Sequence, residues 1–178
     1  MIPINKHISE TAIVTDFSRL DENAIRLVGE DKMLITAGNA ENFNAMTAGW
    51  GGFGRLWHMQ AAFVFIRPQR YTFLFAEKFD RFTLSFFDKS YDETYNVFGT
   101  KSGRDTDKVK ETGLIPVLTD GGIGFEQARL TLECRKLYAD FIDPAKFIDK
   151  SVIEKVYPQA DFHKMYVARI LKTWIKSL

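Results

Sequence analysis

The sequence predicts a mainly β domain, most simply a barrel, with a few helices packed around it. Its 178 residues suit one domain, and a chain of this length buries about 70% of the surface that it exposes when unfolded. The early strand-like runs are separated by only a few residues, which favours antiparallel neighbours. Many of the 16 phenylalanines fall within residues 63–98 and indicate an aromatic core.

Six apolar runs are predicted as strands from their residue types and spacing. They cover residues 32–38, 43–49, 59–66, 81–87, 123–142 and 164–175. The fifth run alternates, because Leu130, Leu132 and Cys134 share one face while Thr131 and Glu133 share the other. Cys134 is therefore expected to be a buried core thiol and not a nucleophile.

Helices are predicted at residues 70–78, 92–99 and 105–113. For the third helix, Asp105 is the expected N-cap and Gly113 the expected stop. Residues 143–158 are expected to add one or two short turns. These helices would decorate the barrel.

The composition excludes several classes of protein. Lys and Arg total 24 and Asp and Glu total 23, so the net charge of +1 argues against a general nucleic-acid binder. A single cysteine excludes an intramolecular disulfide, and no run reaches the ~18 apolar residues of a membrane span. Because residues 1–10 have no apolar leader, a cytoplasmic protein is expected. His7, His58 and His163 lie in no metal-ligand spacing, so no metal site is predicted.

Gly49, Gly51 and Gly54 fit the GxGxxG pattern of dinucleotide-binding domains. A Rossmann fingerprint also needs a helix that opens at the last glycine and an acidic residue about 20 positions further on. Only residues 55–58 separate Gly54 from the next predicted strand, and residues 70–75 contain no carboxylate. The glycine pattern therefore does not predict a Rossmann site.

Two loops carry features of anion sites. Arg67 and Arg70 flank a Pro-Gln pair, and Tyr71 and Thr72 open a predicted helix, where guanidinium groups and free backbone N–H groups suit a phosphate. Residues 99–105 place Lys101, Ser102 and Gly103 in a glycine-rich turn that can form an anion nest. Each loop taken alone favours an ordinary solvated loop, and the two together favour an anion site.

Six stretches, taken in order, resemble a known family. They are NFNAMTAGWGGFG (42–54), FIRPQRYTFLF (65–75), RFTLSFF (81–87), YNVFGTKSGRDTDKV (95–109), LECRKLY (132–138) and DFHKMYVARI (161–170). The chain resembles the flavin reductase-like family of FMN-binding split barrels, which includes the flavoredoxins. The resemblance spans about residues 31–175, and the ordered set is far more specific than any one stretch. Where relatives usually have a proline after the tryptophan-containing loop, this chain has WHMQ (57–60).

The resemblance implies a six-stranded antiparallel split barrel with flanking helices, formed by one domain over residues 1–178 and paired as a homodimer. It implies that FMN is the cofactor and that small residues of the 44–50 run let the backbone approach its flat ring. The flavin-lining residues would be Asn44, Ala45, Met46, Thr47, Ala48 and Trp50, and the phosphate would be held by Arg67, Arg70, Tyr71, Thr72, Lys101, Ser102 and Gly103. His163 matches a position near the flavin, whereas its place before the last strand alone indicates a turn histidine.

The resemblance implies the activity of an FMN-dependent oxidoreductase. NADH or NADPH would transfer a hydride to N5 of bound FMN, and a small molecule or a protein would then accept the electrons. The alternative is a flavoredoxin-like electron carrier, or a flavin-binding module, with no direct nicotinamide reaction. Because the cofactor carries the redox chemistry, no catalytic side chain is expected. Neither nucleic acid nor a membrane is an expected partner.

Overall fold

The structure is a computed structural model that describes residues 4–177. Residues 1–3, which belong to the stretch expected to hold no leader, lie outside the described residues, as does residue 178. The described strands are β1 Ala12–Thr15, β2 Met33–Gly38, β3 Phe43–Ala48, β4 Gly51–Leu56, β5 Met59–Ile66, β6 Arg81–Phe86, β7 Pro116–Leu118, β8 Ile123–Phe125, β9 Leu130–Phe141 and β10 Lys164–Lys176. The α-helices are α1 Ala24–Gly29, α2 Tyr71–Lys78, α3 Asp92–Thr100, α4 Lys108–Thr112 and α5 Ser151–Val156.

One antiparallel sheet dominates the fold. Its strand order is β3-β2-β6-β9-β10-β5-β4, and β1 also pairs with β10. Along one edge of β10, the segment from Lys164 to Arg169 pairs with β5 and the segment from Thr173 to Lys176 pairs with β1, while β9 lies along the other edge. The mainly β, antiparallel class with flanking helices is confirmed, but the sheet has eight strands and not the expected six.

The structure has three strands that were not predicted, β1, β4 and β7, and it divides one predicted run in two. β1 is only four residues long, and β4 contains three glycines, so neither carries a strong strand pattern. The run predicted at 123–142 divides into β8 and β9, because residues 126–129 form a turn in which the Ala128 amide donates to the Phe125 carbonyl oxygen. The polar residues Glu126, Gln127 and Arg129 interrupt the apolar pattern there, and the prediction of one long strand passed over them.

The predicted helices α2 and α3 are confirmed, and the third begins later than expected. Asp107 and not Asp105 caps α4, and its carboxylate accepts a hydrogen bond from the Lys110 amide. Gly113 ends that helix in the left-handed region, with φ at 67°, as expected of a C-cap glycine. The six-residue α1 was not predicted. No helix within residues 4–177 combines the length and apolarity needed to cross a bilayer.

Strand β3 separates two apolar layers. Met46 and Ala48 belong to the main core cluster on one side of the sheet, while Ala45 belongs to a second cluster that includes Tyr95 and Phe98 of α3. Side chains alternate along a strand, so neighbouring residues of β3 face opposite layers. α2 and α3 both contact β3, which brings the N-terminus of one helix and the C-terminus of the other to the same strand.

Trp57 and His58 form a two-residue hairpin turn between β4 and β5. Both residues have positive φ, 50° and 60°, and the flanking residues Leu56 and Met59 form the last strand pair. Two consecutive residues in this region are typical of a type I′ turn. The chain after Gly54 is thus a strand and a hairpin, which confirms that no Rossmann helix opens there.

Candidate functional site

The N-terminus of α2 opens onto a cavity of about 310 Å³. Arg70 is the N-cap residue and makes no side-chain capping bond, and the backbone N–H groups of Tyr71 and Thr72 have no hydrogen-bond partner among residues 4–177. The other cavity residues include Asn44, Met46, Gln69, Thr100, Lys101, Ser102, Gly103, Arg104, Asp105 and Lys108. Free N–H groups at the positive end of a helix dipole favour an anion in this space.

Two cations of the cavity wall, Arg70 and Lys108, donate to backbone carbonyl oxygens and have no acidic partner within residues 4–177. The Arg70 guanidinium donates through Nη1 to the Gly99 carbonyl oxygen at 2.7 Å and through Nη2 to that of Phe98 at 3.1 Å. The Lys108 ammonium donates to the Ala45 carbonyl oxygen at 2.6 Å, and the residue is only 5% exposed. Within residues 4–177, neither cation takes part in an ion pair.

Burial disfavours the charged forms of both side chains. Burial, reinforced by the nearby Arg70 charge, lowers the pKa of Lys108 to about 8. Burial and the Arg67 charge also lower the pKa of Arg70. Buried charges normally require a counter-charge, and here carbonyl oxygens supply only partial charges. The unbalanced positive charge and the open helix terminus together fit a ligand that carries a phosphate.

The second predicted anion loop closes one side of this cavity. A Cβ atom on Gly103 would lie 2.1 Å from Asn44 Oδ1 and 3.3 Å from Tyr71 Cδ1, so only glycine permits this close approach. Asn44 is held in turn by a 2.7 Å hydrogen bond that its Nδ2 donates to Thr72 Oγ1. The Ser102 hydroxyl oxygen accepts from the Arg104 amide at 3.2 Å.

Lys101 lines the cavity, but it is not a free cation. Its ammonium pairs with the carboxylate of Glu111 on α4, and about half of its side chain is exposed. The pair neutralises the charge that the sequence analysis assigned to a phosphate. Lys101 is therefore near the cavity but is less suited to an anion than the buried Lys108.

Arg67 lies in a different group of residues, which we call the aromatic corner: Trp50, Phe65, Arg67, Tyr157, Asp161 and His163. Its guanidinium forms an ion pair with Asp161 and donates to the Val156 carbonyl oxygen at 3.2 Å. Its Cζ atom lies 5.5 Å from the Tyr157 ring centroid and 6.0 Å from that of Trp50. The expectation that Arg67 joins Arg70 around one phosphate stays a prediction, and in this structure the Arg67 guanidinium is already paired with a carboxylate of this chain.

His163 and Trp50 meet in the aromatic corner. Their ring centroids lie 4.8 Å apart, and the buried His163 places Nδ1 3.0 Å from the Tyr157 hydroxyl. Burial, together with the Arg67 charge, lowers the pKa of His163 to about 4. The imidazole is therefore neutral at physiological pH. Trp50 is half exposed, so it presents an aromatic face to solvent beside a neutral histidine.

Strand β3 carries the remaining predicted residues, and their roles divide. Thr47 was expected to line the flavin. Its hydroxyl donates to the Tyr95 carbonyl oxygen at 2.6 Å, so in this structure its proton is used within the protein. Ala45 and Ala48 are buried in different core layers, and Met46 reaches the cavity wall. The alternation of the strand prevents all of its side chains from lining one face of a ligand.

Lys108 was missed by the sequence analysis. It stands in DKVKE, where a lysine in the first turn of a short helix is ordinarily solvated. The only local signal was its place directly after the glycine-rich loop. Among residues 4–177, no group of three or more His, Cys, Asp or Glu side chains is arranged to hold a metal ion.

The fold is a mainly β, antiparallel one with flanking helices, and its cavity at the N-terminus of α2 is lined by more cations than acids. The family model for the flavin reductase like domain matches residues 26–177, and the chain belongs to that family. The resemblance drawn from the sequence is thus confirmed. A search of curated proteins finds no match to this sequence.

Solved structures share the fold at low sequence identity. An FMN-binding domain of a flavin reductases-like enzyme from Shewanella baltica superposes with a TM-score of 0.65 at 15% identity, covering 93% of this chain and 77% of its own. Flavoredoxin of Desulfovibrio vulgaris gives 0.65 at 16% identity, with 92% and 78% covered. An NADH:FAD oxidoreductase of Streptomyces globisporus, in complex with NAD and FAD fragments, gives 0.59 at 13% identity, with 80% and 73% covered.

Proposed function

We propose that this protein is an FMN-dependent oxidoreductase of the NAD(P)H:flavin reductase type. The observation that carries the proposal is the half-buried Arg70, which lies beside the uncapped N-terminus of α2 and is paired with no acid among residues 4–177. The family and the FMN-binding proteins among its fold neighbours support FMN as the anionic ligand. A fold neighbour solved with NAD and FAD fragments supports a nicotinamide donor.

The residues of the cavity fit the phosphate of FMN. Arg70 and the backbone N–H groups of Tyr71 and Thr72 would hold the phosphate oxygens, with the 102–103 turn closing over them. Strand β3 leads from this cavity, at Asn44, toward Trp50. The ring system would therefore follow the strand, against the β3 backbone and the Trp50 indole.

When bound, FMN would supply the redox chemistry, and this protein's residues would supply binding, orientation and electrostatics. The neutral His163 neither adds nor removes charge near Trp50 at physiological pH. The Arg67–Asp161 pair holds the aromatic corner in place without presenting a net charge. No side chain needs to act as a nucleophile in this proposal.

A second candidate function is an electron carrier that holds FMN but does not react directly with a nicotinamide. The overlap with flavoredoxin, whose TM-score equals that of the Shewanella enzyme domain, favours it. Anaerobic mixing of the FMN-loaded protein with NADH or NADPH separates the two functions. Rapid bleaching of the flavin absorbance is the expected result. An unchanged spectrum would support the carrier, and a protein that ignores added FMN would contradict both.

We also propose a homodimer. β6 pairs with β9 only up to Arg135, which lies opposite Arg81. Beyond that pair, the side chains of Leu137, Tyr138 and Phe141 on β9 are exposed. Such apolar side chains along one free strand edge suit a second copy of the chain. Light scattering after size exclusion is expected to give twice the mass of one chain, and a monomer that binds FMN would contradict this.

A further inference from the structure

We propose that Lys108, alongside Arg70, makes the site prefer phosphorylated flavin over riboflavin and that Lys108 makes the site release it at alkaline pH, an inference that rests on the proposed FMN site. The residue lies in α4, outside the two loops whose sequence indicates an anion site. Its side chain is nevertheless buried in the wall of the cavity at the N-terminus of α2.

The position of the ammonium group is fixed by two neighbours. Nζ donates to the Ala45 carbonyl oxygen of β3 at 2.6 Å and lies 4.9 Å from the ring centroid of Phe98 in α3. Lys108 also borders a second, larger groove of about 1100 Å³ that meets the first cavity at Asn44, Tyr71 and Gly103. The ammonium therefore stands at the junction of both spaces.

One hydrogen bond leaves part of the donor capacity of Lys108 unused. An ammonium group has three N–H donors and no acceptor, and residues 4–177 engage only one of these donors. A carbonyl dipole and an aromatic face stabilise a cation, but they do not neutralise it. A phosphate monoester carries nearly two negative charges at neutral pH, whereas the terminal hydroxyl of riboflavin carries none. The charge of Lys108 thus favours only the phosphorylated ligand.

The charged groups around Lys108 do not provide that neutralisation. Arg70 on α2 and Arg104 on the loop add positive charge to the cavity wall. Of the acids, Asp107 caps the Lys110 amide, and Glu111 pairs with Lys101, whose side chain also borders the cavity. Asp105 lies exposed at the edge of the cavity and is in no ion pair, and the Lys110 and Lys6 side chains border only the larger groove. A ligand anion is the counter-charge that this arrangement lacks.

The same geometry makes phosphate binding depend on pH. Burial and Arg70 lower the pKa of Lys108 to about 8, and a bound phosphate raises it again because it stabilises the ammonium. Above pH 8, FMN affinity should fall by up to about tenfold per pH unit, since binding then requires proton uptake. Below about pH 6 the phosphate loses its second charge. Riboflavin binding should show neither dependence.

The test compares Lys108→Met with the control Lys101→Met, which removes an exposed, already paired lysine from the same cavity. FMN, riboflavin and inorganic phosphate are titrated into flavin-free protein at pH 7 and pH 9.5, with flavin fluorescence or calorimetry as the readout. For Lys108→Met, FMN should bind about 10- to 100-fold more weakly at pH 7. Riboflavin should change by less than about threefold, and the loss of FMN affinity from pH 7 to 9.5 should disappear. Lys101→Met should keep the wild-type pH profile.

Three outcomes would overturn the proposal while leaving the FMN site intact. The first is an unchanged preference for FMN in Lys108→Met, and the second is an unchanged pH profile. The third is an equal loss of affinity for FMN and riboflavin, which would mean that Lys108 only joins α4 to β3. If Lys108→Met does not fold, Lys108→Arg serves instead, because it should keep the preference at pH 7 and lose the alkaline decline. Wild-type protein that binds neither flavin would contradict the proposed function itself.

Discussion

Arg67 and Arg70 lie on either side of Pro68 and Gln69, and in the sequence both are candidates for the same phosphate. In the structure they belong to different regions. Arg67 lies in the aromatic corner, where Asp161 neutralises its charge. Arg70 lies in the wall of the cavity at the N-terminus of α2, where it donates to the carbonyl oxygens of Phe98 and Gly99.

The difference shows that a cationic side chain indicates a ligand site when it has no carboxylate partner, and that its residue type alone does not. A guanidinium that is already paired with a carboxylate gains little from an added anion and must lose that pair to bind one. A buried guanidinium whose partners are dipoles retains a net charge and free N–H groups. The charge of Arg67 is balanced within the aromatic corner, whereas the charges of Arg70 and Lys108 have no acidic partner within residues 4–177.

The largest expected effect separates the two arginines directly. Arg70→Met should weaken FMN binding by about 100-fold or more, since charged hydrogen bonds contribute roughly 1.5–3 kcal/mol each. Its effect on riboflavin should be much smaller. Arg67→Met is the matched control, which should lower the melting temperature and leave the ratio of FMN to riboflavin affinity unchanged. Fluorescence titration of both flavins measures the ratio, and a loss of FMN preference in Arg67→Met would remove the distinction between the regions.

Acid should destabilise the aromatic corner through His163. Its pKa is lowered from 6.5 to about 4 in the folded protein, so the unfolded chain binds the proton more readily between these values. The stability contributed by the neutral imidazole is complete above pH 6.5 and is lost as the pH falls through about 4. His163→Asn should abolish up to about 3 kcal/mol of this pH dependence. Urea unfolding at pH 7, 5.5 and 4.5 measures it, and parallel curves for both proteins would show that His163 does not titrate in this range.

Trp50 should contribute to flavin binding without distinguishing phosphate. Trp50→Ala is expected to weaken FMN and riboflavin equally, by roughly 2- to 10-fold, through lost aromatic contact. Trp57→Ala is the control, because Trp57 is 53% exposed and Trp50 48%, yet Trp57 lies at the hairpin tip. Equal effects of the two substitutions on both flavins would mean that Trp50 is not beside the ring.

The smallest expected effect concerns Thr47, whose hydroxyl proton is used within the protein. Thr47→Val should lower the free energy of unfolding by ~1 kcal/mol, because it removes the bond to the Tyr95 carbonyl oxygen. FMN affinity should stay within about twofold. Thr36→Val is the control, since the buried Thr36 hydroxyl has no partner within the described residues and its loss should not destabilise. A large loss of FMN affinity in Thr47→Val would place the hydroxyl at the ligand.

Local patterns predicted the class of fold, the strands β2, β3, β5 and β6, and the position of α2. They also placed Arg70, Thr72 and Gly103 near one anion site, because helix starts and glycine-rich turns are encoded by neighbouring residues. They did not separate Arg67 from Arg70, since Asp161 lies 94 residues from Arg67. Lys108 was missed for the same reason: its burial depends on Ala45, 63 residues earlier in the chain.

Strand β10 has a consequence for how the chain acquires its fold. Its residues 164–176 pair with β1, β5 and β9, and the pair of Ala12 with Lys176 joins positions more than 160 residues apart. During synthesis, at roughly 5–20 residues per second, these three strands are made before the strand that covers their edges. Until β10 arrives, each presents unpaired backbone to other chains. Slow translation just before residue 164 would therefore prolong exposure to aggregation, and chaperones would be most useful in that interval.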